Sequence, residues 1–141
     1  MTDEIMRSIL DIIRACDSLQ LATISLDGYP ETRHVMNAMN KDAADLSLRF
    51  MTNNESPKYR QIMRDPKCCL YYFNPQNRHA VRLFGKIEII DSVEQKHKFW
   101  NDDYKAYGYS GPDDENYALL GFIPHEYKFY SGYKLTTGKI R

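Results

Sequence analysis

Ser56, Pro57 and Lys58 follow directly on the run Phe50-Met51-Thr52-Asn53-Asn54-Glu55, and residues of these types in this order can receive an anion. A serine followed by a proline is a helix start with its cap and its first-position proline in place. The opening amide N–H groups of such a helix have no partners inside it and carry the positive end of its dipole, so a phosphate docked there meets several donors at once. Ser56 adds a hydroxyl and Lys58 an ammonium. A second cation, Arg33, stands in the stretch Thr32-Arg33-His34-Val35-Met36. If that stretch pairs with the strand ending at Thr52, Arg33 comes near the same turn, and its planar fork can clamp a phosphate monoester together with Lys58. The competing reading pairs Arg33 with Glu31 or Glu55 on the surface and leaves Ser56 as a simple cap; residue types alone leave both open.

Other chemistries find less support. His34, His79, His97 and His125 fall on separate elements without a metal-ligand spacing, and no cysteine stands at a tetrahedral-site distance from any of them, so no metal is expected. Each reads first as a structural histidine, with His34 placed to reach a ligand beside Arg33 and His97 on the exposed side of its helix. Cys16, Cys68 and Cys69 are an odd number with two adjacent, which is no disulfide framework and suits a reducing cytosol. Nucleophile elbows, Walker-type phosphate loops and dinucleotide glycine fingerprints are missing, which removes support for hydrolase, nucleotidase and Rossmann readings. Asp113-Asp114 lies in a Gly-Pro loop and reads as a turn former.

The elements that must position these residues alternate mainly with period two. Leu19 to Leu26 and Thr32 to Met39 read as a hairpin about Asp27-Gly28, and Asp45 to Thr52 as a third strand with Leu46, Leu48 and Phe50 inward. The helix from Ser56 to Arg64 stops at Asp65-Pro66. Strands follow at Cys68 to Phe73, His79 to Ile90, Tyr117 to Ile123 and Glu126 to Tyr133. Gly85, on the core-facing side with Val81, Leu83, Ile87 and Ile89, marks a bulge or a close backbone approach. Residues 3 to 16 and 92 to 100 read as amphipathic helices, and 108 to 116 as a loop. The expected fold is therefore mainly β with short helices (α+β): a six- or seven-stranded antiparallel barrel within one domain spanning residues 1–141. Nineteen basic against nineteen acidic side chains remove the footprint of a general nucleic-acid binder. No apolar run reaches membrane-spanning length and residues 1–4 are acidic, so a cytoplasmic protein is expected, with neither membrane nor nucleic acid as partner.

In this order and at these separations, Thr32-Arg33-His34-Val35-Met36, Phe50-Met51-Thr52, Ser56-Pro57-Lys58, Phe84-Gly85-Lys86-Ile87, Trp100, Tyr104, Gly111-Pro112-Asp113-Asp114 and Leu119 to Pro124 resemble the pyridoxamine 5′-phosphate oxidase-like superfamily of flavin-binding split barrels, in its general-stress-protein branch. The resemblance implies a homodimer with flavin mononucleotide (FMN) in clefts at the interface. Carried over by position, it makes Arg33, Ser56 and Lys58 the phosphate ligands and sets the backbone of Val35, Met36, Met51 and Thr52 along the isoalloxazine ring. Two positions depart from the true oxidases: Ala80 stands where they carry a glutamine, and Phe129-Tyr130 where relatives place a tryptophan against the flavin. The implied function is an FMN-dependent oxidoreductase passing electrons from a reduced nicotinamide to a small planar acceptor, with Tyr72, Tyr104 and Tyr130 as candidate walls for the ring. The alternatives are a flavin carrier or stress-related sensor without turnover, and a split barrel turned to haem, with His34 or His125 as axial ligand, or to a deazaflavin.

Overall fold

Thr2 accepts a hydrogen bond from the amide of Ile5 and starts α1 (Asp3–Ala15), whose Ile9, Leu10, Ile12 and Ile13 are buried. This is the apolar stripe that an amphipathic helix lays on a sheet. The sheet beneath it, in a computed structural model describing residues 1–140, has seven antiparallel strands. They are β1 (Ser18–Ile24), β2 (Pro30–Met36), β3 (Arg49–Asn53), β4 (Lys67–Asn74), β5 (His79–Ile90), β6 (Tyr117–Ser131) and β7 (Lys134–Lys139). Two further helices, α2 (Pro57–Arg64) and α3 (Val93–Lys98), complete the α+β content.

The strands run in the order β2-β1-β4-β5-β6-β3, with β7 also on β6. The anticipated pairing of the second strand with the third does not occur. The short Asp27-Gly28 turn leaves β2 no partner nearer than β1, and the two pair throughout, from Ser18 opposite Met36 to Ile24 opposite Pro30. As the two ends of the strand order, β2 and β3 are not hydrogen-bonded to each other. Side chains cross the interval instead. Asn40 donates from Nδ2 to the Arg49 carbonyl and accepts the Arg49 amide at Oδ1, both at 2.8 Å. Asn37, fully buried, donates to the carbonyls of Ile13 and Cys16 and accepts from Asn40 and the Tyr72 hydroxyl.

Gly85 shows both anticipated features. The β5–β6 register slips between Phe84 and Gly85, because Phe84 faces Glu126 while Gly85 faces Pro124, leaving His125 as the extra residue. A Cβ on Gly85 would collide with the Ile123 carbonyl oxygen and lie 2.8 Å from the Phe122 ring. This bulge lets one long strand serve two partners, β3 along Tyr117–Gly121 and β7 from Glu126 to Ser131. The two last strands anticipated from sequence are thus one, because Pro124 marks the bulge rather than a turn. The seventh strand is instead Lys134–Lys139, beyond the last one anticipated. The second strand ends at Met36, with a 3-10 turn over Ala38–Asn40, and the third begins only at Arg49. A second 3-10 segment, Asp102–Tyr107, precedes the loop. Among the described residues no helix is long and apolar enough to cross a membrane, and Cys16, Cys68 and Cys69 are all free.

Candidate functional site

Lys58 lies in the first turn of α2, and its ammonium donates to Thr52 Oγ1 at 2.7 Å. Thr52 is buried on β3, and its hydroxyl also lies 3.0 Å from that of Ser56. Ser56 caps the helix by accepting the Tyr59 amide, as its place before Pro57 implies.

Arg33 approaches from β2, on the inward side it shares with Val35. Its guanidinium donates to the Leu21 carbonyl at 3.2 Å, to Thr23 Oγ1 at 2.7 Å and to Gln61 Oε1 at 3.2 Å. Gln61 belongs to α2, so Arg33 is tied to the helix that carries Lys58. The surface alternative survives only as a 4.0 Å contact with the half-exposed Glu31. Burial pushes the Lys58 ammonium below its ordinary value, and the neighbouring Arg33 charge pushes it further the same way. Arg33 itself is lowered by burial, with Glu31 acting weakly against it. Two like charges that act on each other partly out of water are a place where a bound anion relieves repulsion.

A cavity of about 270 Å³ opens beside these groups. From β2 it is lined by His34, Val35 and Met36, and from β3 by Met51, Thr52 and Asn53. Ser56, Lys58, Tyr107 and Tyr109 complete the lining. Six of the eight anticipated residues therefore line one cavity; Arg33 does not line it and is tied to the same helix as Lys58 through Gln61. The route differs from the anticipated one: the cavity occupies the interval between two strands that do not pair.

Tyr130 does not join them within this chain. It lines a separate, larger cavity of about 610 Å³ with Tyr71, Ala80 and Arg82. There the Arg82 guanidinium donates to the Tyr130 hydroxyl at 2.6 Å and lies over the rings of Tyr71 and Tyr130. The other two candidate walls are packing residues. Tyr72 is fully buried, and Tyr104 is buried in a cluster with Trp100, Tyr109 and Tyr117. His34 lines the cavity while bonded to Gln20, and His97 is exposed and paired with Asp113. Asp114 accepts from Ser110 and Asn116, the turn role anticipated for it.

Sequence reasoning missed Thr23, Gln61, Asn53, Tyr107 and Tyr109. Thr23 carried a readable signal, because it follows Leu19 and Leu21 on the inward side of β1, where a polar residue needs a partner. Tyr107 and Tyr109 flank Gly108, which has a left-handed φ of 98° and turns the chain so that both reach one cavity.

Known proteins resemble this chain at two levels. A pyridoxine/pyridoxamine 5′-phosphate oxidase of Pseudomonas paraeruginosa is 32% identical over 78 residues, which are 55% of this chain and 35% of the relative. The match thus spans only about a third of the length of that curated relative. In fold, the chain is similar to a protein related to general stress protein 26, of the pyridoxinephosphate oxidase family, from Clostridium acetobutylicum. The TM-score is 0.85 at 23% identity, covering 99% of this chain and 97% of that one. A pyridoxamine 5′-phosphate oxidase-related, FMN binding protein of Nostoc punctiforme superposes with a TM-score of 0.71 at 19% identity, covering 99% and 96%. A heme binding protein of Mycobacterium smegmatis does so at 0.75 and 14%, covering 99% of this chain and 59% of that one. These likenesses establish the split-barrel fold, and the family model described as pyridoxamine 5′-phosphate oxidase matches residues 5–131. By that match, over most of its length, the chain belongs to the pyridoxamine 5′-phosphate oxidase family.

Proposed function

We propose that this chain binds FMN and works as an oxidoreductase that passes electrons from a reduced nicotinamide to a small planar acceptor. The observation that carries the reading is Lys58 in the first turn of α2 beside the Ser56 cap, with the partly buried Arg33 of β2 bonded to Gln61 of the same helix. A phosphate monoester carries up to two negative charges and matches these two cations, with the Ser56 hydroxyl and the first amides of α2 as further donors. The exposed edges of β2 and β3 supply backbone polar groups at Val35, Met36, Met51 and Thr52 for a heteroaromatic ring. Thr23 and Gln61 hold the guanidinium in place before any ligand arrives, which lowers the ordering cost of binding. When bound, the flavin supplies the electron chemistry, and the protein's part is to hold, orient and shield it.

Tyr130 stands in a different cavity of the same chain, so it reaches the cofactor only from a second copy. The homodimer with the cofactor at the interface is accordingly part of the proposal. Ala80 lines that larger cavity with a methyl group and no hydrogen-bonding side chain, which speaks against oxidation of pyridoxamine phosphate itself. A carrier or sensor role uses the same binding residues without turnover. For haem, His34 is the available axial ligand at the cation-bearing cavity, since His125 lies in others.

The absorbance spectrum of purified protein separates a flavin from a haem, and anaerobic mixing with a reduced nicotinamide separates an enzyme from a carrier by bleaching of the flavin. Arg33→Ala combined with Lys58→Ala removes two charge-assisted contacts of about 1.5 to 3 kcal/mol each, so FMN affinity drops by roughly a hundredfold or more. A folded double variant that binds FMN like the wild type would falsify the phosphate assignment.

A further inference from the structure

Strand register sets two rows of side chains on the outward face of β4, β5 and β6. In one row Tyr71 stands opposite Arg82, and Arg82 opposite Lys128. In the next, two residues along each strand, Phe73 stands opposite Ala80, and Ala80 opposite Tyr130. Val81 and Leu83 alternate with these and go to the core. Ala80 is thus a small residue between two aromatic ones. Phe73 and Tyr130 are rooted two strand spacings apart, about 9.5 Å, so the Ala80 methyl leaves room between them for one flat ring. This space belongs to the cavity of about 610 Å³ that Arg82 and Arg78 also line.

The cavity is cationic. None of its lining residues is an aspartate or glutamate, and among the described residues neither Arg78 nor Arg82 has a carboxylate partner. Arg82 is already held in place: its Nη1 donates to the Tyr130 hydroxyl at 2.6 Å, and its guanidinium carbon lies 5.2 and 5.3 Å from the ring centroids of Tyr71 and Tyr130. Those contacts use its faces and one nitrogen, and its Nε–Nη2 edge has no acceptor among the described residues. Such an edge takes a carboxylate through two parallel hydrogen bonds. Arg78 adds a second charge from the turn between β4 and β5, at a left-handed φ of 60° that glycine or asparagine would adopt more easily. Burial raises the Cys69 thiol while Arg82 and Lys128 act against it, the sign that a positive field on this face produces.

We propose that this cavity is a second binding site, for a small planar aromatic carboxylate whose ring lies over Ala80 beside Phe73 and Tyr130 and whose carboxylate is gripped by Arg82. The site goes beyond the FMN reading, because the grip needs no flavin. In the proposed homodimer, where Tyr130 reaches the cofactor of the second copy, a ring held here lies beside that flavin. The aromatic flanks select a flat ring, and the free guanidinium edge selects a negative charge on it.

The test titrates FMN-saturated protein by calorimetry with 2-naphthoate, its neutral analogue 2-naphthamide and the saturated anion cyclohexanecarboxylate, while flavin fluorescence reports any release of FMN. 2-Naphthoate is expected to bind at least about tenfold more tightly than either comparison compound. Arg82→Gln should weaken 2-naphthoate about tenfold and remove its advantage over 2-naphthamide, a change in selectivity that a general loss of structure would not produce. Ala80→Leu fills the space over position 80 and should weaken 2-naphthoate and 2-naphthamide alike. Equal binding of 2-naphthoate and either comparison compound, an advantage that survives Arg82→Gln, or binding untouched by Ala80→Leu overturns the inference. Release of FMN by 2-naphthoate overturns it too, by giving the cavity to the cofactor, and leaves the FMN reading standing. Protein that takes up no FMN yet shows the Arg82-dependent preference overturns the FMN reading alone.

Discussion

At the scale of single residues, Lys58 decides the most. Its ammonium is pushed below the ordinary lysine value of 10.5 by burial first and by Arg33 second. The native chain therefore binds this proton less readily than the unfolded chain, and stability attributable to Lys58 rises with pH through that window. Ligand binding has the opposite sign, because a phosphate favours the charged ammonium. FMN affinity is expected to be full below the lowered pKa of the free protein and to fall as pH rises through the higher pKa of the complex. Titrations between neutral pH and the alkaline limit of folding measure this, and Lys58→Met should flatten that limb while lowering affinity throughout. An unchanged alkaline limb in the variant would assign the titration to another group. Arg33 contributes a charge that does not titrate in this range, fixed by neighbours on β1 and α2.

At the scale of elements, two junctions set where those residues stand. Gly85 permits the bulge that lets β6 leave β3 and take up β7. Gly85→Ala places a methyl against the Ile123 carbonyl and the Phe122 ring, and overpacking of that kind costs about 1 to 3 kcal/mol. Chemical denaturation should show the midpoint falling by that amount with the slope unchanged. The second junction is Asn37, whose amide ties the end of α1 to the turn before β3 and to Tyr72. Asn37→Ala strands buried carbonyls and a hydroxyl, each worth about 1 to 3 kcal/mol when unsatisfied, so a loss of roughly 3 kcal/mol is expected. Because Asn37 and Asn40 also span the interval between β2 and β3, weaker FMN binding should accompany the lower melting temperature. An Asn37→Ala protein with wild-type melting would remove the brace from this account.

At the scale of the whole molecule, the cavity draws on distant parts of the chain: β2, β3, α2 and the Tyr107–Tyr109 turn. A ligand that binds only when these are assembled stabilises the fold by mass action, by about 2.7 kcal/mol at a hundredfold excess over its Kd. For a chain of 141 residues that is a rise of roughly 10 °C in melting temperature. Thermal unfolding with and without FMN measures it, and the Arg33→Ala, Lys58→Ala protein should show almost none of the gain. Equal shifts in the two proteins would mean that the stabilising ligand sits elsewhere.

Local sequence determined what neighbouring residues decide between themselves. Period-two burial marks β1 through Leu19, Leu21 and Thr23, the Ser56-Pro57 pair starts α2, and Gly85 announces a bulge before any partner strand is known. The types that can grip a phosphate were legible for the same reason, since the cap, the helix start and Lys58 lie within three residues. Which strands pair was not legible, because pairing depends on contacts between segments far apart in the chain. Only the tertiary structure set β2 and β3 at opposite ends of the strand order, drew Arg33 inward to Thr23 and Gln61 instead of out to Glu31, and put Tyr107 and Tyr109 on the cavity while sending Tyr130 to another. The physical reason is burial: a guanidinium half out of water goes to whichever fixed acceptors the fold brings near it, and those acceptors come from elements that meet only once the barrel has formed.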